Sequence, residues 1–124
     1  MRRSKLNINE YQLRAHSFAD YSMPMIPEPE KGAIRVDYVY PVMGLTEESG
    51  EVAGKFAKAV RDCNGKIDDE RKEAIVKELG DVTWFVAEIC TLLNVSMEEV
   101  MQKNIDKLTS RKERNVIHGN GDNR

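Results

Sequence analysis

The chain has 124 residues, enough for one domain with a modest core, and its formal net charge of −2 offers no broad basic field for nucleic acid. Cys63 and Cys90 have neither metal-ligand spacing nor the density of a disulfide scaffold, which fits a reducing cytoplasm. Met1-Arg2-Arg3-Ser4-Lys5 is basic without a following apolar run, and Glu88 interrupts the most apolar segment before it could span a bilayer, so neither a leader nor a membrane partner is expected.

Asn7 or Asn9 can cap a first helix over residues 9–20, with Tyr11, Ala15, Phe18 and Ala19 as its apolar stripe. All four prolines, with Gly32 and three of the four tyrosines, fall between Tyr21 and Pro41, so this stretch reads as an ordered loop of a length that is usually functional or disordered. Within it Tyr38 and Tyr40 either stack on a nucleobase or plug the core rim. A second helix is expected from Pro41, suited to a first turn, to Asp62. Asn64 and Gly65 suit a left-handed stop. The third helix opens at Asp68 or Asp69 and runs to Leu93. Ser96-Met97-Glu98-Glu99 is a capping box for a fourth that reaches Arg111 or a little further. The chain is therefore an all-α four-helix bundle, with helices two and three as antiparallel neighbours across a short turn. The end segment 112–124, like residues 1–8, reads as either a frayed terminus or an arm ordered by a ligand.

Helices two and three carry acids where an amphipathic helix would carry apolar groups. At about 100° per residue, Glu48 shares its side with Leu45, Val52 and Phe56, and Glu51 follows one turn on. Glu78 stands with Ile75, Val82, Phe85 and Ile89, and Asp81 lies one turn away. Four carboxylates at the edges of buried stripes repel one another unless something positive lies between them. Magnesium or manganese answers that need with oxygen ligands alone. The competing reading, for either pair by itself, is a solvated helix face.

On helix four, Asn104, Lys107 and Arg111 share one face, while Met97, Met101, Ile105 and Leu108 form the packing stripe. That trio is either a solvated surface or a donor set for polyphosphate oxygens. His16 reads as a helix-surface residue, and no Ser, Cys or His triad pattern is present. Apolar residues on more than one side of helices two and three exceed what four short helices can cover, which predicts a homodimer or homotetramer.

In this order and spacing, Leu45-Thr46-Glu47-Glu48-Ser49-Gly50-Glu51-Val52 followed by Glu78-Leu79-Gly80-Asp81-Val82 resembles the paired ExxE and ExxD motifs of the MazG-like all-alpha nucleoside triphosphate pyrophosphohydrolases. The likeness extends to Asn104-Ile105-Asp106-Lys107-Leu108 and Arg111, similar to that family's phosphate-contacting motif, and to a tail rich in glycine and aspartate, covering residues 42–124. The resemblance implies magnesium-dependent hydrolysis of a nucleoside triphosphate, ribo or deoxyribo, to the monophosphate and diphosphate, in nucleotide-pool control. It implies that Glu48, Glu51, Glu78 and Asp81 hold magnesium, for which manganese can substitute, and that one of Glu48 and Glu51 orients or deprotonates the attacking water. Lys107 and Arg111, assisted by Asn104, would bind the phosphates, and Glu47 is either supporting or merely exposed. Residues 21–40 match no pattern that assigns the base. A phosphoribosyl-ATP pyrophosphohydrolase and a non-enzymatic helical interaction module stay open as alternatives.

Overall fold

The computed structural model describes residues 5–20 and 36–124, with the side chains of residues 36–38 outside that description. It contains four helices, α1 (Ile8–His16), α2 (Val36–Cys63), α3 (Asp69–Leu92) and α4 (Met97–Glu113), and no strand among the described residues. No single helix is long and apolar enough to cross a membrane.

Side-chain caps fix three helix starts. Asn7 accepts the Glu10 N–H at 2.8 Å, Asp68 accepts that of Arg71 at 2.9 Å, and Ser96 accepts that of Glu99 at 3.0 Å, each satisfying an amide that the first turn leaves without a carbonyl. Asn64 and Gly65 adopt left-handed backbone (φ 52° and 77°) to end α2, and Asn94 (φ 55°) turns the chain after α3. Two expected boundaries move. α1 stops at His16, capped by Ser17, which leaves Phe18 exposed instead of on an apolar stripe. α2 begins at Val36, so Pro41 lies inside the helix, fully buried, where its missing N–H forfeits one bond of the ladder without ending it.

α3 is the central element. On one side it packs antiparallel to α2; on the other, Ala87 and Cys90 join Ala15 of α1 and Met97 at the start of α4 in a small core, with Ile8, Tyr11, Trp84, Val86 and Val95 packed around it. Hydrogen bonds tie α1 to this side: Trp84 Nε1 donates to the Ala15 carbonyl at 3.0 Å. The Gln12 amide donates to the Val95 carbonyl (2.9 Å) and Thr91 hydroxyl (3.3 Å) and accepts the Met97 N–H at 2.7 Å. Glu88, fully buried, places Oε2 at 3.2 Å from His16 Nδ1, so His16, half exposed, reaches a buried acid from the helix surface.

α4 departs from expectation. It leaves α3 at a bend of 102° and packs on α1 and α3, not on α2. Of its expected packing stripe only Met97 is buried; Met101, Ile105 and Leu108 are exposed, whereas Arg111, on the polar strip beside it, is 5% exposed. The expectation of a packed stripe therefore fails beyond the first turn, and the C-terminal segment covers Arg111 at this end of α4. Phe56 on α2 is likewise exposed although it shares the side of Glu48.

The α2–α3 packing is tightest at Gly44, where any Cβ would overlap the Phe85 ring. Phe85 is itself held edge-on by Trp84 (centroids 5.0 Å apart) and Tyr40 (6.0 Å). Gly44→Ala should therefore destabilise the fold by about 1–3 kcal/mol through overpacking, against a helix-propensity gain of at most about 1 kcal/mol. Gly54→Ala, with open space around the new methyl, serves as the control and should be neutral or stabilising. Thermal melts of the two variants check this, and equal midpoints would show that the contact is soft.

Candidate active site

The Gly44–Phe85 contact fixes which acids meet. One turn along α2 from Gly44 stands Glu48, and one turn back along α3 from Phe85 stands Asp81, so antiparallel packing brings these carboxylates opposite each other. A third joins them from α3: carboxylate oxygens of Glu48, Glu78 and Asp81 all lie within 4.8 Å of one another. Glu51 lies outside this group, exposed one turn further along α2.

The cluster is electrostatically loaded. The Glu48 carboxyl is held above its ordinary value of 4.5, first by burial and then by the negative charges of Asp81, Glu47, Glu78 and Glu51. Glu47 thus acts on the site through its charge. The Tyr11 phenol, brought up by α1, is also raised, chiefly by burial and further by Asp81. One cation compensates directly: Lys55, two turns after Glu48 on α2, puts Nζ at 3.1 Å from Glu78 Oε1. Sequence reasoning missed this lysine, because a Lys on an amphipathic helix is ordinarily a surface residue; the signal was its recurrence seven residues after Glu48 and four after Glu51.

The donor set fits a hard divalent cation. It offers oxygen only, from three side chains on two helices, and magnesium with ligands at about 2.1 Å keeps its oxygens no more than about 4.2 Å apart. A closure of about half an ångström at the widest pair would suffice.

The other candidates are placed differently. Tyr40 is half exposed with its ring edge against Phe85, while the Tyr38 side chain lies outside the described residues. Lys107 and Arg111 share a face as expected, but there they meet the chain's own tail. Asp122 Oδ1 lies 3.4 Å from Lys107 Nζ and 3.3 Å from Arg111 Nη2, and the same nitrogen donates to the Asp122 carbonyl at 2.9 Å. These bonds, led by that from Arg111, hold the Asp122 carboxyl below its ordinary value. The tail is looped by Arg124, whose guanidinium donates to the carbonyls of Val116, Ile117 and Gly121. Asn104 is exposed on α4.

This two-helix carboxylate cluster, on an all-α scaffold, is a group of oxygen ligands that could hold a metal ion. The comparisons narrow it. The family profile of the MazG nucleotide pyrophosphohydrolase domain matches residues 41–116. Gene 37 protein of Mycobacterium phage L5 is 48% identical over 85 residues, covering 68% of this chain and 75% of that protein. Uncharacterized protein YvdC of Bacillus subtilis (strain 168) is 35% identical over 73 residues, 54% of this chain and 68% of its own length. No solved structure gives a significant match. The chain belongs to the MazG nucleotide pyrophosphohydrolase family.

The raised Glu48 carboxyl carries a stability consequence. The native state holds this proton more tightly than the unfolded chain does. Its share of metal-free stability is therefore lost as pH rises from about 4.5 through the raised native value. Glu48→Gln removes the titrating group, so in chelator the variant should melt at a higher temperature than wild type near neutral pH and lose part of the downward slope. Melts across that range measure it; identical slopes would mean that the crowding is relieved by rearrangement.

Proposed function

We propose that this protein is a magnesium-dependent nucleoside triphosphate pyrophosphohydrolase, cleaving the α–β phosphoanhydride of a (d)NTP with water to give (d)NMP and diphosphate, in control of the nucleotide pool of the cytoplasm. The observation that carries this reading is the convergence of Glu48, Glu78 and Asp81 within 4.8 Å, in a chain of the MazG family. Magnesium, or manganese in its place, would be held by these three with Glu51 closing the set, and when bound would neutralise charge on the substrate's phosphate oxygens.

The chain's own residues do the rest. Glu51, exposed at the rim, is suited to orient the attacking water and accept its proton, and Glu48 shares that role from deeper in the cluster. Asn104, Lys107 and Arg111 bind phosphate oxygens; Asp122 occupies the two cations as a carboxylate that a phosphate would displace. Tyr40, at the edge of Phe85, and Tyr38 are the candidate base contacts. The exposed Phe56, Val60, Val76, Leu79, Met101, Ile105 and Leu108 support assembly into a homodimer or homotetramer.

A phosphate-release panel over the common dNTPs and NTPs, with phosphoribosyl-ATP included, tests the reading. Phosphate should appear only when inorganic pyrophosphatase is added, with magnesium or manganese present. Glu48→Gln and Asp81→Asn should abolish turnover while remaining folded. Undiminished turnover in excess chelator, or near wild-type activity of either variant, would overturn it, and silence across the whole panel would favour a helical interaction module.

Helix four has its own test. Lys107→Ala should weaken binding of a non-hydrolysable triphosphate by about tenfold, as expected for one lost charged hydrogen bond, with little effect on monophosphate binding. Arg111→Lys should be impaired as well, because an ammonium cannot replace the guanidinium fork. Lys107 is the cleaner probe, since Arg111 also holds the tail. Equal losses for both nucleotides in calorimetry would make this face a solvated surface.

A further inference from the structure

Beside the carboxylate cluster, toward the Asn64–Gly65 turn, α2 and α3 enclose a cavity of about 280 Å³ lined by Lys55, Lys58, Asp62, Glu70, Arg71 and Ala74. Lys55 belongs to both places, lining this cavity while its Nζ touches Glu78. Lys58 follows three residues on, a rise of about 4.5 Å along the helix. Across from them Arg71 is anchored by Asp68, which accepts both its N–H (2.9 Å) and its Nη1 (2.8 Å). Its Nε and Nη2 donate to no described residue, and Lys58 makes no ion pair among the described residues.

The lining holds three cations, Lys55, Lys58 and Arg71, against two acids, Asp62 and Glu70. Asp62 has a partner outside the cavity in Arg61, whose Nε and Nη2 donate to its two oxygens at 2.7 and 2.9 Å, and this pairing, with smaller contributions from Arg71 and Lys58, holds the Asp62 carboxyl below its ordinary value. Lys55 and Arg71 are shared with Glu78 and Asp68, so Lys58 is the lining cation without an ion pair among the described residues. A cavity with more cations than acids, sharing Lys55 with the carboxylate cluster, suits a ligand with anionic groups spaced along a short chain, one end near the cluster. Lysines one helical turn apart match successive phosphates.

We propose that this cavity is the subsite for the diphosphate end of the substrate, with Lys55 exchanging Glu78 for a phosphate oxygen and Lys58 and Arg71 receiving the next phosphate. The assignment rests on the pyrophosphohydrolase reading of the cluster and adds to the donors of α4. It makes Lys58 a determinant of affinity for the leaving group, although it lies away from the acids.

Calorimetry of the full chain with inorganic diphosphate and magnesium tests it, alongside the inhibition constant of diphosphate in an assay that follows nucleoside monophosphate directly, without added pyrophosphatase. Lys58→Ala should weaken diphosphate binding about tenfold, as for one lost charged contact. Lys58→Glu should weaken it further, with nucleoside monophosphate binding and the thermal midpoint unchanged. Lys72→Ala, an exposed lysine outside the cavity, should bind diphosphate like wild type. If wild type hydrolyses nucleoside triphosphates but both Lys58 variants keep wild-type diphosphate affinity, the cavity is not the subsite and the catalytic reading stands. If wild type neither hydrolyses a triphosphate nor binds diphosphate, both fail together.

Discussion

The steric fit of the Phe85 ring against the bare backbone of Gly44 governs the geometry of this protein. A helix pair can slide by a turn at modest cost when its facing side chains are aliphatic and interchangeable. A ring seated where no Cβ can stand removes that freedom. With this contact set, Glu48 and Asp81 have no choice but to face each other one turn away, and Glu78 and Lys55 follow. The aromatic neighbours Trp84 and Tyr40 belong to the same device, because they hold the ring that defines the register. Fold and chemistry are thus coupled through a contact that carries no charge.

What the register assembles is electrostatically unfavourable. Three carboxylates close together, one of them with its pKa raised by burial and by its neighbours' charges, oppose the packing that creates them. Lys55 offsets part of this at Glu78, and the apolar packing of α3 against α1 around Ala15, Ala87 and Cys90 holds the helix in place against it. The arrangement concentrates negative potential at one rim of a scaffold whose net charge is only −2. Such local excess is poised for a cation rather than for a neutral ligand.

Much of this was legible in the sequence, for identifiable reasons. Asn7, Asp68 and Ser96 cap as their types demand, and Asn64 and Gly65 take the left-handed backbone that terminates helices. The acid pairs stood out because they violate an apolar pattern on two helices in the same way. Periodicity does not reveal which face a partner will cover, so the packing expected of the α4 stripe fails beyond Met97. Arg111 reversed its expected environment because the contact that buries it comes from Asp122, too far along a polar tail for any local rule to pair. Lys55 and Lys58 were silent for a different reason: lysines on a helix are common, and only the opposing helix gives them a role. The start of α2 was misplaced because proline at a first turn is a preference, whereas burial of Pro41 is a tertiary fact.

The amide of Gln12 has a mechanical meaning of its own. α4 meets the bundle through its first turn, and there the Gln12 side chain clamps the corner, donating to Val95 and Thr91 and accepting from Met97, while Asn9 donates to Glu98 beside it. Only a group that donates and accepts at once can bridge both sides of such a corner; a carboxylate or an ammonium of the same length would lose half of the clamp. The angle of α4 is therefore set at a pivot and not along a packed face. Lys107, Arg111 and the tail stand at the far end of this helix, so a small change of angle at the 93–96 corner would carry them a long way.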